Sequence, residues 1–249
     1  MMALNLLVTP HPLLLPHLLN VKSPSNTIPT TATAHTFEFS QVTSSAGEVW
    51  MDRNLGTSQV ATSSTDPASY GDSYQWGRLA DGHQIRTSTT TTTLAVNITP
   101  GHADFITTTG VRGPYDWTLP NIVDDDALRS VFLAKTDGSG VCPTGFNVPT
   151  EAQLKAETDI WDRTNNAEVS AFNSALKLPV AGDRISVYTR QTGGFGNVGA
   201  VGYYWTRSVI SGNWRYRYAR DLTFDRYSIH PEFYNSERSA GESIRCIKN

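Results

Sequence analysis

The sequence predicts an α+β domain, and three observations predict it. Two helix-patterned segments lie midway along the chain. A glycine-punctuated run of strand-like segments follows them, from about Gly193 to the end. Charged residues make up only 17% of the 249 residues and hydrophobic residues 39%. A chain that is polar mainly through Thr, Ser, Gly and Asn favours loops and short strands over long solvated helices. Helices followed by antiparallel strands, without alternation of the two, argue α+β. The length suits one large domain, or a domain of about 200 residues with an appendage.

The elements follow in order. Met1 to Leu19 is apolar, includes Leu13-Leu14-Leu15-Pro16-His17-Leu18-Leu19, and contains no Lys or Arg. Pro and His interrupt it, and it lacks the basic opening of a signal peptide and a lipobox cysteine. The expectation is an extended apolar arm that joins the chain to another copy or another protein; an arm folded back on its own domain is the competing reading. Residues 20–36, with Pro24, Pro29 and many Thr, read as a linker. The predicted division is therefore an arm and linker over 1–40 and a folded domain over 41–249.

Thr36–Phe39 and Val49–Met51 read as the first strands, and Thr87–Thr93 as an exposed strand or ordered loop, because β-branched Thr disfavours helix. Asp124-Asp125-Asp126 opens a short helix that runs to Leu133, acidic where the helix dipole is positive. Pro149 and the capping box Thr150-Glu151-Ala152-Gln153 start a helix to about Trp161. Ala152, Ala156 and Ile160 are spaced for one stripe of it, and Leu154 and Trp161 lie seven apart. A further helix spans Ala167–Leu176, with Val169, Phe172 and Leu176 aligned. Tyr203-Tyr204-Trp205 opens an aromatic strand. Ala219–Phe224 alternates, Ala219, Asp221 and Thr223 against Arg220, Leu222 and Phe224, and Ser243–Ile247 forms the last strand.

Several function classes find no support. A net charge of −3 gives no basic field for nucleic acid. No apolar run is long enough to span a bilayer. Cys142 and Cys246 stand far apart with no C-x-x-C, which excludes zinc-ribbon and thioredoxin-type chemistry. They are either two thiols or one disulfide. There is no G-x-S-x-G elbow and no phosphate loop, and Gly193-Gly194-Phe195-Gly196 reads as turn glycine. His83, His102 and Asp104 are scattered in the manner of histidines that bind no metal.

Four segments carry a family resemblance. Trp50-Met51-Asp52-Arg53-Asn54-Leu55-Gly56 is the first and Tyr70-Gly71-Asp72-Ser73-Tyr74-Gln75-Trp76-Gly77-Arg78 the second. Cys142-Pro143-Thr144-Gly145-Phe146-Asn147-Val148-Pro149-Thr150-Glu151 is the third. The fourth joins Gly202-Tyr203-Tyr204-Trp205-Thr206-Arg207-Ser208 to Gly241-Glu242-Ser243-Ile244-Arg245-Cys246. In this order, over residues 46–249, they resemble the Fibrobacter succinogenes major paralogous domain, a relative of formylglycine-generating-enzyme-like domains. The resemblance implies a C-type-lectin-like fold, with two helices packed on antiparallel sheets and the N-terminal arm extended from it.

The same C-terminal pattern is similar to that of variable proteins of diversity-generating retroelements, in which a reverse transcriptase rewrites adenines in the last segment of the gene. That implies a binding region at about 205–246, with Trp205, Leu222, Phe224, Gly241 and Arg245 as scaffold. The ligand-binding face would be Asn213, Arg215, Tyr216, Arg217, Tyr218, Arg220, Asp225, Tyr227, His230, Glu232, Tyr234 and Asn235. Physical chemistry agrees: Tyr and Arg carry most interface energy, and Tyr offers large rigid area at low entropy cost. The competing reading is a solvated β-rich end whose aromatics cover the core.

The expected function is ligand and receptor binding, with a protein or glycan of a target cell surface as partner, on a phage tail or an extracellular surface. The arm would serve a homotrimer or a tail protein. No catalytic residue, cofactor, metal, nucleic acid or membrane span is expected. A non-diversified surface adhesin or structural protein of the same family is the alternative, and a formylglycine-generating-type enzyme a more distant one, since its paired reactive cysteines have no counterpart in spacing.

Overall fold

The computed structural model describes residues 39–108, 115–119, 125–185, 193–210 and 218–249, with 125–127 as backbone alone. The predicted arm and most of the linker lie outside these residues. In chain order come β1 (Gln41–Thr43), β2 (Val49–Met51), a 3₁₀ turn (Pro67–Ser69), β3 (Tyr74–Gln75), β4 (Thr90–Thr91), β5 (Phe105–Ile106) and α1 (Asp125–Ala134). Then follow β6 (Phe146–Asn147), α2 (Glu151–Asp159), α3 (Ala167–Asn173), β7 (Asp183–Arg184), β8 (Phe195–Gly196) and β9 (Val201–Trp205). The chain closes with β10 (Tyr218–Asp225), β11 (Glu232–Glu237), β12 (Gly241–Glu242) and β13 (Ile247–Lys248). The class is α+β; among the described residues the strands pair antiparallel except for β4 with β5, and two isolated bridges, Ala95 to Thr118 and Tyr204 to Ser243, are also parallel.

Most pairing joins distant parts of the sequence. β13 lies between β2 and β6, and β12 between β3 and β7, so the last residues are stitched into sheets begun before residue 76. Cys142 and Cys246 form a disulfide across 104 residues and reinforce the same closure.

The third sheet, in the order β11-β10-β9, separates two cores. Alternation along each strand puts Tyr204, Leu222 and Phe224 on one face, where they pack with Trp50, Leu154 and Trp161. Trp205 and Ala219 leave the other face and join Tyr74, Trp76, Ile244 and Cys246. The predicted scaffold residues are thus interior. The Trp205 indole N–H donates to the Tyr74 carbonyl at 2.7 Å. The buried Arg245 guanidinium donates to Asn54 Oδ1 at 2.9 Å and to the Leu176 carbonyl. Gly202 lies directly under the Phe224 ring, where a Cβ would overlap it. That ring is stacked on Tyr204 and set edge-on to Trp161. Gly202→Ala should cost about 1–3 kcal/mol, as overpacking does, and a denaturant titration will read it as a lower midpoint at unchanged slope.

Several expectations are corrected. In α2 the capping box forms as predicted, Thr150 Oγ1 accepting from the Gln153 N–H at 3.2 Å and Gln153 Oε1 from the Thr150 N–H at 2.9 Å. The buried face, however, is Leu154, Glu157 and Thr158, continued by Trp161, while Ala152, Ala156 and Ile160 are exposed. The larger side chains set the orientation, and the two Ala had little area to contribute. α3 ends at Asn173, because Ser174 is extended at φ −64°, ψ 165°. It buries Ala167, Ser170 and Ala171 rather than Val169, which is 37% exposed, and Leu176 reaches the core from beyond the helix. Small residues let this helix approach the sheet closely.

Phe39 belongs to no strand; its ring packs edge-on against Phe146. The Thr run holds only the two-residue β4. β9 ends, rather than begins, on its aromatics. Phe195–Gly196 of the predicted turn is a strand, with Gly193 left-handed at φ 85° before it. Of the strand expected over Ser243–Ile247 only Ile247 is in one, at the start of β13, while β12 ends before the span at Glu242; Ser243 makes an isolated bridge to Tyr204 and Arg245 turns inward to its acceptors.

Candidate functional site

β10 and β11 form a hairpin with six paired positions from Tyr218↔Glu237 to Thr223↔Glu232. β10 is central and buried on both faces, whereas β11 is the edge of its sheet and largely exposed. The strong alternation of β10 roots the hairpin in both cores, and its tip is left to solvent.

Of the twelve predicted face residues, Asn213, Arg215, Tyr216 and Arg217 lie outside the described residues. The other eight are not on one plane. The register sets Glu232 and Tyr234 on the face of Asp221 and Thr223, and Asn235 opposite, beside Arg220. Tyr227 and His230 are in the connecting loop. Tyr227 is 86% exposed and Tyr234 49%, and His230, Glu232 and Asn235 are also exposed. Large aromatic area in water next to polar neighbours is the composition of a recognition surface.

The loop is not slack. Asp225 Oδ1 accepts from the N–H groups of Tyr227 and Ser228 at 2.8 and 3.0 Å, an Asx turn. The Ala167 N–H donates to the Ser228 carbonyl at 2.8 Å, tying the loop to the start of α3. Arg226 donates to the Gly199 carbonyl at 3.0 Å. Tyr227 is therefore presented on a fixed turn, which lowers the ordering cost of any contact it makes.

Four predicted residues have internal partners, Arg220, Asn235, Tyr218 and Asp225. Arg220 makes a two-pronged pair with Glu151, Nε to Oε2 at 2.8 Å and Nη2 to Oε1 at 2.6 Å. It also donates to Asn235 Oδ1 at 2.8 Å and the Tyr234 carbonyl at 3.1 Å. The pair holds the Glu151 carboxyl below its ordinary value and the Arg220 guanidinium above its own. Glu151 opens α2, where a carboxylate also suits the helix dipole. Arg220 thus ties helix, central strand and edge strand together. Tyr218 stacks on Tyr115, ring centroids 5.5 Å apart. Asp225 serves its turn.

A second group of polar residues was not singled out from the sequence. Asp183, Asp221 and Glu242 stand near one another where the β9–β11 sheet meets β7 and β12, and Glu237, on the other face of β11, feels the charge of Asp183. Burial and mutual repulsion push Asp183 up to about 6, Glu237 to about 7 and Glu242 well above its ordinary value. Burial alone carries Asp221 to about 6. The only sequence signal for the group was an Asp within the alternating segment Ala219–Phe224.

His83 has settled partners. Its Nε2 accepts from the Gln75 N–H at 3.1 Å, so its proton is on Nδ1, 2.7 Å from Asp81. Burial holds it neutral, with its value down at about 4. Among the described residues no three of His, Cys, Asp or Glu converge on a metal position, and no helix is long and apolar enough to cross a membrane. No family model, curated protein or solved structure matches this chain.

Proposed function

We propose that the chain is a receptor-binding variable protein with a C-type-lectin-like fold, diversified by a retroelement and carried on a phage tail or another extracellular surface. The observation that carries the reading is the β10–β11 hairpin. It presents Tyr227, His230, Glu232, Tyr234 and Asn235 to solvent while Trp205, Leu222 and Phe224 beneath them are 2% exposed or less. Rewriting the outer positions would leave both cores untouched, which a surface built to vary requires.

Two further observations support it. The ends of the domain are locked by β13 and the Cys142–Cys246 disulfide, so the scaffold does not depend on the hairpin tip. A disulfide of this span is typical of proteins that work in oxidising surroundings, in keeping with a virion or cell-exterior location. It also engages both cysteines of the chain, leaving no thiol for formylglycine-type chemistry. The ligand class is a protein or glycan on a target cell, and Asn213, Arg215, Tyr216 and Arg217 belong to the same proposed face.

The test joins genetics and binding. Beside the gene we expect a reverse transcriptase and a near-copy of the codons for residues 205–246 that differs only at adenines. On a panel of bacterial strains, labelled protein should decorate at least one. Tyr227→Ala with Tyr234→Ala should reduce that binding at least tenfold and move the melting temperature by no more than a few degrees, since exposed side chains contribute little to stability. A neighbourhood with neither gene feature, or undiminished binding by the double variant, would overturn the reading.

A further inference from the structure

Three buried carboxyls have a geometry that the recognition reading does not use. Register alone brings two of them together: Gly241 pairs with Arg184 in antiparallel β12 and β7, which sets Glu242 across from Asp183. The charge of Asp221 acts on both Asp183 and Glu242 and so places the third beside them. Glu237 ends β11 on the opposite face, paired with Tyr218. Asp221 and Glu242 are at most 1% exposed, and each keeps one oxygen, Asp221 Oδ1 and Glu242 Oε2, with no hydrogen-bond partner among the described residues. Asp183 Oδ1 is a third such oxygen.

A buried carboxylate oxygen without a donor is costly, by about 1–3 kcal/mol even for an ordinary polar group. No described Lys or Arg forms a salt bridge with any of the three carboxyls. Arg220 is the cation that acts on Asp221, yet its guanidinium is on the opposite face, committed to Glu151. Arg184 is adjacent in β7, but it donates to the Ser88 and Gly193 carbonyls instead. Thr223 Oγ1 donates to Asp221 Oδ2 at 2.7 Å, and the remaining oxygens, Asp221 Oδ1, Glu242 Oε2 and Asp183 Oδ1, meet no donor among the described residues.

What would fill the site follows from size and shape. The carboxyls do not converge closely enough to ligate one metal ion, which requires oxygens about 2.0–2.6 Å from the centre. A guanidinium does not need that convergence. It spreads five N–H donors over a plane and reaches separate acceptors at hydrogen-bond distance. Half-buried Tyr203 feels all three carboxyls, so a phenol lies beside them, and aromatic faces attract cations. We propose that Asp183, Asp221 and Glu242 form a guanidinium-binding subsite, whose occupant is an arginine side chain of a partner polypeptide. None of the three is among the face residues of the recognition reading, although Tyr234 of that face lies across from Asp221.

L-Argininamide is the probe, titrated calorimetrically into the full chain. At pH 8 we expect saturable one-to-one binding. Asp221→Asn with Glu242→Gln keeps shape and removes charge, and should weaken it at least tenfold. Lowering the pH to 5 should do the same by protonating the carboxyls. Tyr227→Ala, in the hairpin loop, should leave it unchanged, which separates this subsite from the hairpin surface. Three results would overturn the proposal: no binding at millimolar argininamide with the chain folded by circular dichroism, equal binding by the charge-removed variant, or saturation by calcium chloride in place of argininamide.

Discussion

Opening the Cys142–Cys246 disulfide should be among the most damaging single changes to this protein, lowering its melting temperature by on the order of 10 °C or more. The bond closes a loop of 104 residues, and a loop of that size restricts the unfolded chain by about 4.7 kcal/mol on the chain-entropy account. Native disulfides in small domains contribute roughly 2–5 kcal/mol, and each kcal/mol moves the midpoint by about 2–4 °C in a chain of this length. The folded state adds its own reason. Both sulfurs are buried in the core that holds Met51, Tyr74, Trp76, Trp205 and Ile244, and β13 begins at the residue after Cys246. Without the bond, the last strand remains in place through a few ladder hydrogen bonds and Ile247. Calorimetry with and without a phosphine reductant reads the effect, and Cys142→Ser with Cys246→Ser should reproduce it. A midpoint unchanged by complete reduction would mean that the terminal strand is held by packing alone.

The parts of the fold legible in the sequence were those governed by local chemistry. Pro149 and the Thr150/Gln153 pair mark the start of α2 because a capping box is decided within four residues. The acidic start Asp124-Asp125-Asp126 marks α1, and Val49–Met51 is a strand as read. What failed was whatever depends on distant partners. Which side of α2 is buried was decided by the sheet opposite, and Leu154 and Trp161 outweighed a stripe of alanines. That Ser243–Ile247 is no continuous strand could not be told, since Arg245 turns inward to Asn54, 191 residues away.

The candidate site divides along the same line. Tyr227 and Tyr234 could be named from composition and resemblance, and both stand in solvent. The engagement of Arg220 by Glu151 could not, because a two-pronged pair across 69 residues leaves no spacing to read. The carboxyl cluster was hidden for a related reason. Asp183, Asp221 and Glu242 are on three strands, and each alone resembles an ordinary surface acid. Only sheet order brings them together.

The cluster and Glu237 also make an unusual acid response the expected behaviour. Their carboxyls are raised in the folded chain, Asp183 and Asp221 to about 6, Glu237 to about 7 and Glu242 further, from ordinary values near 4 when unfolded. Between about pH 4 and pH 7 the folded state therefore holds more protons than the unfolded one, and stability must fall as pH rises through that window. His83 acts in the other direction. With its folded value down at about 4, the unfolded imidazole takes up its proton first as the pH drops below about 6.5, which subtracts stability. Asp66, Asp81, Asp137, Asp162 and Glu151 are lowered, and their contribution is lost only below about pH 4. One opposing histidine against four raised carboxyls leaves a net gain on acidification. Moving one carboxyl from near 4 to about 6 corresponds to roughly 3 kcal/mol, so the melting temperature should rise by on the order of 5–10 °C from pH 8 to pH 5. It should decline again below pH 4. Asp221→Asn with Glu242→Gln should raise the midpoint at pH 8 and flatten the slope, because two of the responsible protons are then gone. A midpoint that falls steadily from pH 8 to pH 5 would show that these carboxyls are not buried in the folded protein, and the guanidinium subsite would fail with it.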